Sequence, residues 1–136
     1  MSGDVEAGEG HFAATMGSVP APIVTMVREA PEAFAGYIEI RTWLMRTPEE
    51  GGHLEKKINH LIFCLIDVNL GNLEGAVNHA RAAIRNGLTM GELTEGVIQV
   101  FMTGGIATWG RTGYKLLDII RADIDSGSLS ASGAAG

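Results

Sequence analysis

Histidine is the side chain whose charge changes nearest neutral pH, so two histidines on neighbouring elements can pass protons or hold a metal ion. This sequence carries such a pair in His60 and His79, each inside a segment of helical periodicity, on either side of the polar break Asn69-Leu70-Gly71-Asn72. His60 lies one turn before Cys64 on a stripe that continues to Asp67. His79 shares a face with Ala76, Ala80 and Ala83, whose small side chains leave room above a ring. If the two segments form a hairpin, each ring sits about two to three turns from the connection at a rise of about 1.5 Å per residue, and the two can meet. The plainer alternative is that each ring packs separately in a core. A metal site built on the pair needs further ligands, and Asp67, Asn72 and Glu74 supply them at spacings that match no metal motif, so no metal is expected.

Other residues could hold a substrate. Arg41, Arg46 and Arg111 offer paired N–H donors to a carboxylate, with Arg46, beside a loop, the first choice. Trp43 and Trp109 could wall a pocket, and Asn72 at the break could contact a ligand. Cys64 is the chain's one cysteine. It therefore has no partner for an intrachain disulfide or a dithiol cycle, and its apolar neighbours predict a buried, inert thiol. His11 and His53 fall in a tail and a loop. Gly104-Gly105 reads as a helix break or as a helix start able to bind an anion.

The elements that must position these residues are helical throughout, since no run sustains a period of two. Pro22 and Pro31 suit the first turns of helices near Ile23 to Arg28 and from Pro31 to about Arg46, the second placing Phe34, Tyr37, Ile38, Arg41, Leu44 and Met45 on one side. A loop over Thr47 to His53 leads to a helix from Leu54 to about Asn69, with Ile58, Leu61, Ile62, Leu65 and Val68 inward. The next helix runs from about Leu73 to Asn86 and stops at Gly87, with Leu88 as its hydrophobic partner. Thr89 and Glu92 form a capping box for a helix bearing Leu93, Val97, Val100 and Phe101. After Gly104-Gly105, a last helix from Ile106 to Asp125 carries Ile106, Trp109, Gly113, Leu116, Leu117, Ile120 and Ile124 along one stripe. The expectation is an all-α, single-domain bundle of about six helices over 19–125, between flexible tails at 1–18 and 126–136.

Hydrophobic residues make up 46% of the 136 and charged residues 19%, a low charge that points to self-association. The net charge of -6 with no basic stripe argues against nucleic-acid binding. Neither a signal peptide nor a membrane-length apolar run is present, so a cytoplasmic location is expected.

The string Leu54-Glu55-Lys56-Lys57-Ile58-Asn59-His60-Leu61-Ile62, followed by His79 through Leu93, resembles the carboxymuconolactone decarboxylase and alkyl hydroperoxidase D superfamily. The likeness covers roughly Ala33 to Asp118 and is best in the register His79, Ala83, Gly87, Thr89 and Glu92-Leu93. Val97 to Ile106 also resembles the family's helix ending in a glycine-containing turn. Peroxidase members carry a Cys-x-x-Cys pair at the positions of Asn72 and Gly75, so the resemblance implies a branch without thiol peroxidase activity. The family's Glu, nineteen residues before the histidine, is replaced by His60.

In the decarboxylase branch the implied chemistry is cofactor-free loss of carbon dioxide from a small carboxylated lactone, with a proton returned to carbon. By resemblance His79 takes the acid or oxyanion-donor role and His60 that of a second proton carrier or substrate orienter, with Arg46 binding the carboxylate. The resemblance further implies a homotrimer or homohexamer with sites between or near subunits. Two other readings stand beside it: a noncatalytic oligomeric scaffold or small-ligand binder, and a metal-dependent enzyme using His60 and His79.

Overall fold

In the computed structural model, which describes residues 2–130, the chain divides at Glu55 into two compact units, 1–55 and 56–136. Both are built from helices, and no strand occurs among the described residues. The six helices expected from periodicity are present, the last of them divided, and a further one precedes them.

The N-terminal unit holds α1 (Ser2–Met16), α2 (Ala21–Glu29), α3 (Pro31–Leu44) and a 3-10 turn at Pro48–Glu50. Its core is Phe12, Met16, Ile23, Phe34 and Ile38. The segment 1–18, expected as a flexible tail, is therefore helical over α1, and Phe12 and Met16 are buried. Val5, Gly8, Phe12 and Met16 recur at helical spacing, a stripe too sparse and too interrupted by glycine to stand out in the sequence. Gly8 belongs to that stripe because a Cβ there would lie 2.6 Å from the Phe34 ring. On α3, Phe34, Ile38, Arg41 and Met45 are buried as expected, whereas Tyr37 and Leu44 are exposed.

The C-terminal unit holds α4 (Lys56–Leu70), α5 (Leu73–Arg85), α6 (Met90–Gly104), the short α7 (Ile106–Thr108), a π turn (Trp109–Gly113) and α8 (Tyr114–Asp125). Helix α4 packs along α5 and also against α6, and α8 lies on α5. The core draws on Cys64 and Val68 of α4, Ala76, Val77, Ala80, Ala83 and Ile84 of α5, Leu93 and Val97 of α6, and Leu116 and Ile120 of α8. Gly96 lets α6 approach α4, since a Cβ there would meet Leu65 Cδ1 at 3.0 Å. Within α4 the most buried line is Asn59, His60, Cys64 and Val68, while Ile62, expected inward, is exposed, and Leu54, the expected first residue, precedes the helix and is exposed.

The junction after α5 matches the sequence closely. Gly87 adopts φ 102°, its N–H donates to Ile84 O at 3.0 Å, and the Leu88 N–H donates to Ala83 O at 3.0 Å. This is a Schellman stop with Leu88 buried as its apolar partner. The Thr89 N–H then donates to Glu92 Oε1 at 2.9 Å and the Glu92 N–H to Thr89 Oγ1 at 3.1 Å, which starts α6.

The last helix differs from its expectation. Gly105 (φ 85°) ends α6, and α7 is only three residues long, too short for an anion site at its start. The Tyr114 N–H donates to Trp109 O, the i to i-5 bond of a π turn. Such a turn contains one residue more than an α turn, so a stripe drawn at constant α pitch drifts by about one residue, roughly 100°, across it. Ile106, expected inward, is 71% exposed, whereas Thr108 and Thr112 are buried. Thr112 Oγ1 holds the turn by reaching Val68 O at 2.7 Å and Thr108 O at 3.1 Å.

Of the segment expected as a C-terminal tail, 126–130 folds back. The Leu129 N–H donates to Asp123 O at 3.1 Å, and Leu129 is buried in the core. The remainder of that expected tail, 131–136, lies outside the described residues. No helix among the described residues is long and apolar enough to cross a membrane.

Candidate functional site

The site is built on the hairpin of α4 and α5. Gly71 (φ 79°) reverses the chain, and Asn72 starts α5 by accepting from the Gly75 N–H at 3.2 Å through its side-chain oxygen. The same side chain donates to Asp67 Oδ1 at 3.2 Å. Burial raises the Asp67 pKa, and the bond from Asn72 partly offsets that rise. Asn72 is thus engaged in beginning the helix, about 10 Å along it from His79 at 1.5 Å per residue.

Two turns beyond the reversal the hairpin brings the histidines together. His60 Nδ1 lies 3.1 Å from His79 Nδ1, with ring centroids 5.3 Å apart and planes at 37°. His60 is wholly buried, whereas His79 is only partly so. Two ring nitrogens at this distance form a hydrogen bond only when one carries a proton and the other offers a lone pair. With one Nδ1 protonated and the other not, the two rings would share one proton, and the less buried of them is His79.

A third ring completes the cluster. Phe63 stacks on His79 with centroids 4.7 Å apart and planes at 16°. The sequence contained a signal for this residue that the expectations missed: Phe63 stands three positions after His60, on the adjoining part of the same helical face.

Cys64, one turn after His60, is fully buried, and its pKa is pushed up to about 12 by burial and then by the charge of Asp67. It stays a thiol and offers no nucleophile beside the imidazoles. Among the described residues no group of three or more His, Cys, Asp or Glu side chains is placed to hold a metal ion.

The other candidates are dispersed. Arg111 is exposed and lies over the α4–α5 reversal, where a Cβ on Gly71 would meet its Nε at 3.0 Å. Trp109 packs edge-on to Phe101, with centroids 6.0 Å apart. In the N-terminal unit Arg46 donates from Nε to Trp43 O at 2.9 Å and sets its guanidinium 5.1 Å from the centroid of the exposed Trp43 ring. Arg41 is 3% exposed, donates to Thr15 Oγ1 at 2.7 Å, contacts His11 Nε2 at 2.9 Å and lies over the Phe12 ring. Burial lowers its pKa, and Tyr37 acts in the opposite sense. His11 is therefore part of a packed helix pair, and His53 is exposed.

No protein-family model and no curated protein matches this sequence. Among solved structures, the chain is similar to a "putative carboxymuconolactone decarboxylase" from Burkholderia xenovorans LB400. The two share 30% sequence identity and superpose with a TM-score of 0.85, over 95% of this chain and 98% of that one.

Proposed function

This chain belongs to the carboxymuconolactone decarboxylase-like superfamily, and we propose that it is a small acid–base lyase that removes carbon dioxide from a carboxylated lactone or a related ring-cleavage product. The observation that supports this reading is the Nδ1 to Nδ1 contact of 3.1 Å between a buried and a partly exposed imidazole. In such a reaction the bond between the ring carbon and the carboxylate breaks, and its electron pair enters the unsaturated lactone. Carbon dioxide leaves and a proton is delivered to carbon.

His79, the accessible ring, supplies that proton or donates to the developing enolate oxygen. His60 shares the proton across the Nδ1 contact and so keeps the pair ready for the next transfer. No cofactor enters this scheme.

The test is carbon dioxide release from γ-carboxymuconolactone and a panel of related lactone acids, comparing the wild-type chain with His79→Ala. Turnover by the wild type that falls by about a hundredfold or more in the variant is the expected outcome, within the range for a lost general acid. Absence of turnover on every member of the panel would overturn the lyase reading and favour a noncatalytic binder of small molecules.

A further inference from the structure

We propose that Phe63 is a positioning residue that, together with His60, fixes His79 so that His79 Nε2 is the working nitrogen of the pair. The inference rests on the acid–base reading above, and it extends that reading to one atom and to a residue outside the titrating pair.

An imidazole on a helix has two freedoms that matter for proton transfer. The torsion about its Cβ–Cγ bond is broad, so the ring plane is not set by rotamer preference alone. A half-turn about the same bond also exchanges nitrogen and carbon positions, so the plane by itself does not say which nitrogen faces which neighbour. The two contacts of His79 remove these freedoms separately. The near-parallel Phe63 ring, 4.7 Å away with planes at 16°, sets the plane. The His60 Nδ1 atom, 3.1 Å from His79 Nδ1, sets the flip, because a carbon turned toward it would forfeit the hydrogen bond. Both constraints come from one turn of α4, and one face of that helix therefore determines the orientation of a ring carried by α5.

With Nδ1 turned inward, Nε2 points away from His60 and is the nitrogen that meets a ligand. In the neutral pair with His79 Nδ1–H donating to His60 Nδ1, His79 Nε2 carries a lone pair and His60 Nε2 carries the other proton. When His79 Nε2 takes a proton from a substrate, the bridging proton between the two Nδ1 atoms lets the pair share the added charge, most of it on the less buried His79. Delivery of the proton to carbon reverses these moves. No oxidant or co-reactant is needed, and each proton is accounted for at a named atom.

The test is a magnetic-resonance measurement of the histidine ring nitrogens in the isotope-labelled full chain. In the wild type one ring of the pair is expected to carry a protonated Nδ1, slow to exchange with water, and its partner an unprotonated one. In Phe63→Leu the His79 ring is expected to populate both flips, with the bridging proton exchanging about tenfold faster, as for loss of one hydrogen bond. Phe63→Tyr, which keeps the stacked face, should restore the wild-type pattern. Two findings would each overturn the proposal: both wild-type rings protonated only at Nε2, or a Phe63→Leu chain of unchanged helical content with the wild-type pattern and exchange rate. The wild-type arm does not depend on how the variants fold. Because no arm requires turnover, failure of this proposal is distinguishable from failure of the lyase reading.

Discussion

A thiol one helical turn from a reactive imidazole is an ordinary way to build a nucleophile, and Cys64 shows how surroundings cancel it. Its neighbours are core residues of α4 and α5, and its ionisation is moved in the direction opposite to that of reactive cysteines, to about 12. Because the folded pKa lies above the unfolded one, the associated stability is fully present below about 8.5 and is lost as pH rises beyond it, where the unfolded chain gives up its proton. The native protein should therefore resist thiol reagents at pH 8, and its urea midpoint should decline between pH 8 and pH 10. Rapid native labelling would contradict this. At this scale the sequence was informative where chemistry requires a residue type and uninformative where partnership decides. His60, His79 and Cys64 could be singled out by type. Phe63 offered only its spacing from His60, and an aromatic residue three places along a helix reads equally well as core. Arg46 could be preferred over Arg41 only for lying beside a loop; the fold buries Arg41 against Thr15, His11 and Phe12 and sets Arg46 over an exposed indole.

Among the elements, the junction between α5 and α6 was the most legible, because its physics is local. Gly87 is required by its positive φ, and Thr89 and Glu92 exchange bonds within four residues. The family register that begins at His79 thus contains, in its second half, the stop of one helix and the start of the next. Thr89→Ala should cost about 1 kcal/mol in urea denaturation. The bonds from Thr89 depress the pKa of Glu92, so its contribution is present above the ordinary carboxylate range and lost as pH falls through it. The stability gap between the wild type and Glu92→Gln should accordingly narrow as pH falls from 6 to 3, and a gap that widens would refute the assignment. Helix α1 was illegible for the opposite reason. Its order comes from contacts with α2 and α3 and not from its own composition, in which Gly3, Gly8 and Gly10 suggest a tail.

For the whole molecule, the all-α class and the family were legible, and the division at Glu55 was not, since periodicity reports faces and carries no information on where one set of packed helices ends. Several large apolar side chains are exposed in the single chain, including Ile66 at 52%, Leu70 at 71% and Met102 at 78%. Such exposure fits the self-association that the low charge suggests, and the family resemblance sets the proposed number of copies at three or six. Sedimentation equilibrium should give a mass three or six times 14.4 kDa, and a mass of one chain would reject that expectation. The π turn at Trp109–Gly113 carries an evolutionary consequence. A helix with one surplus residue in a widened turn can lose that residue and close into ordinary α geometry without rotating the helix beyond it. Gly110 is the exposed glycine of that turn, and a chain shortened there is expected to fold and still present Leu116 and Ile120 to α5.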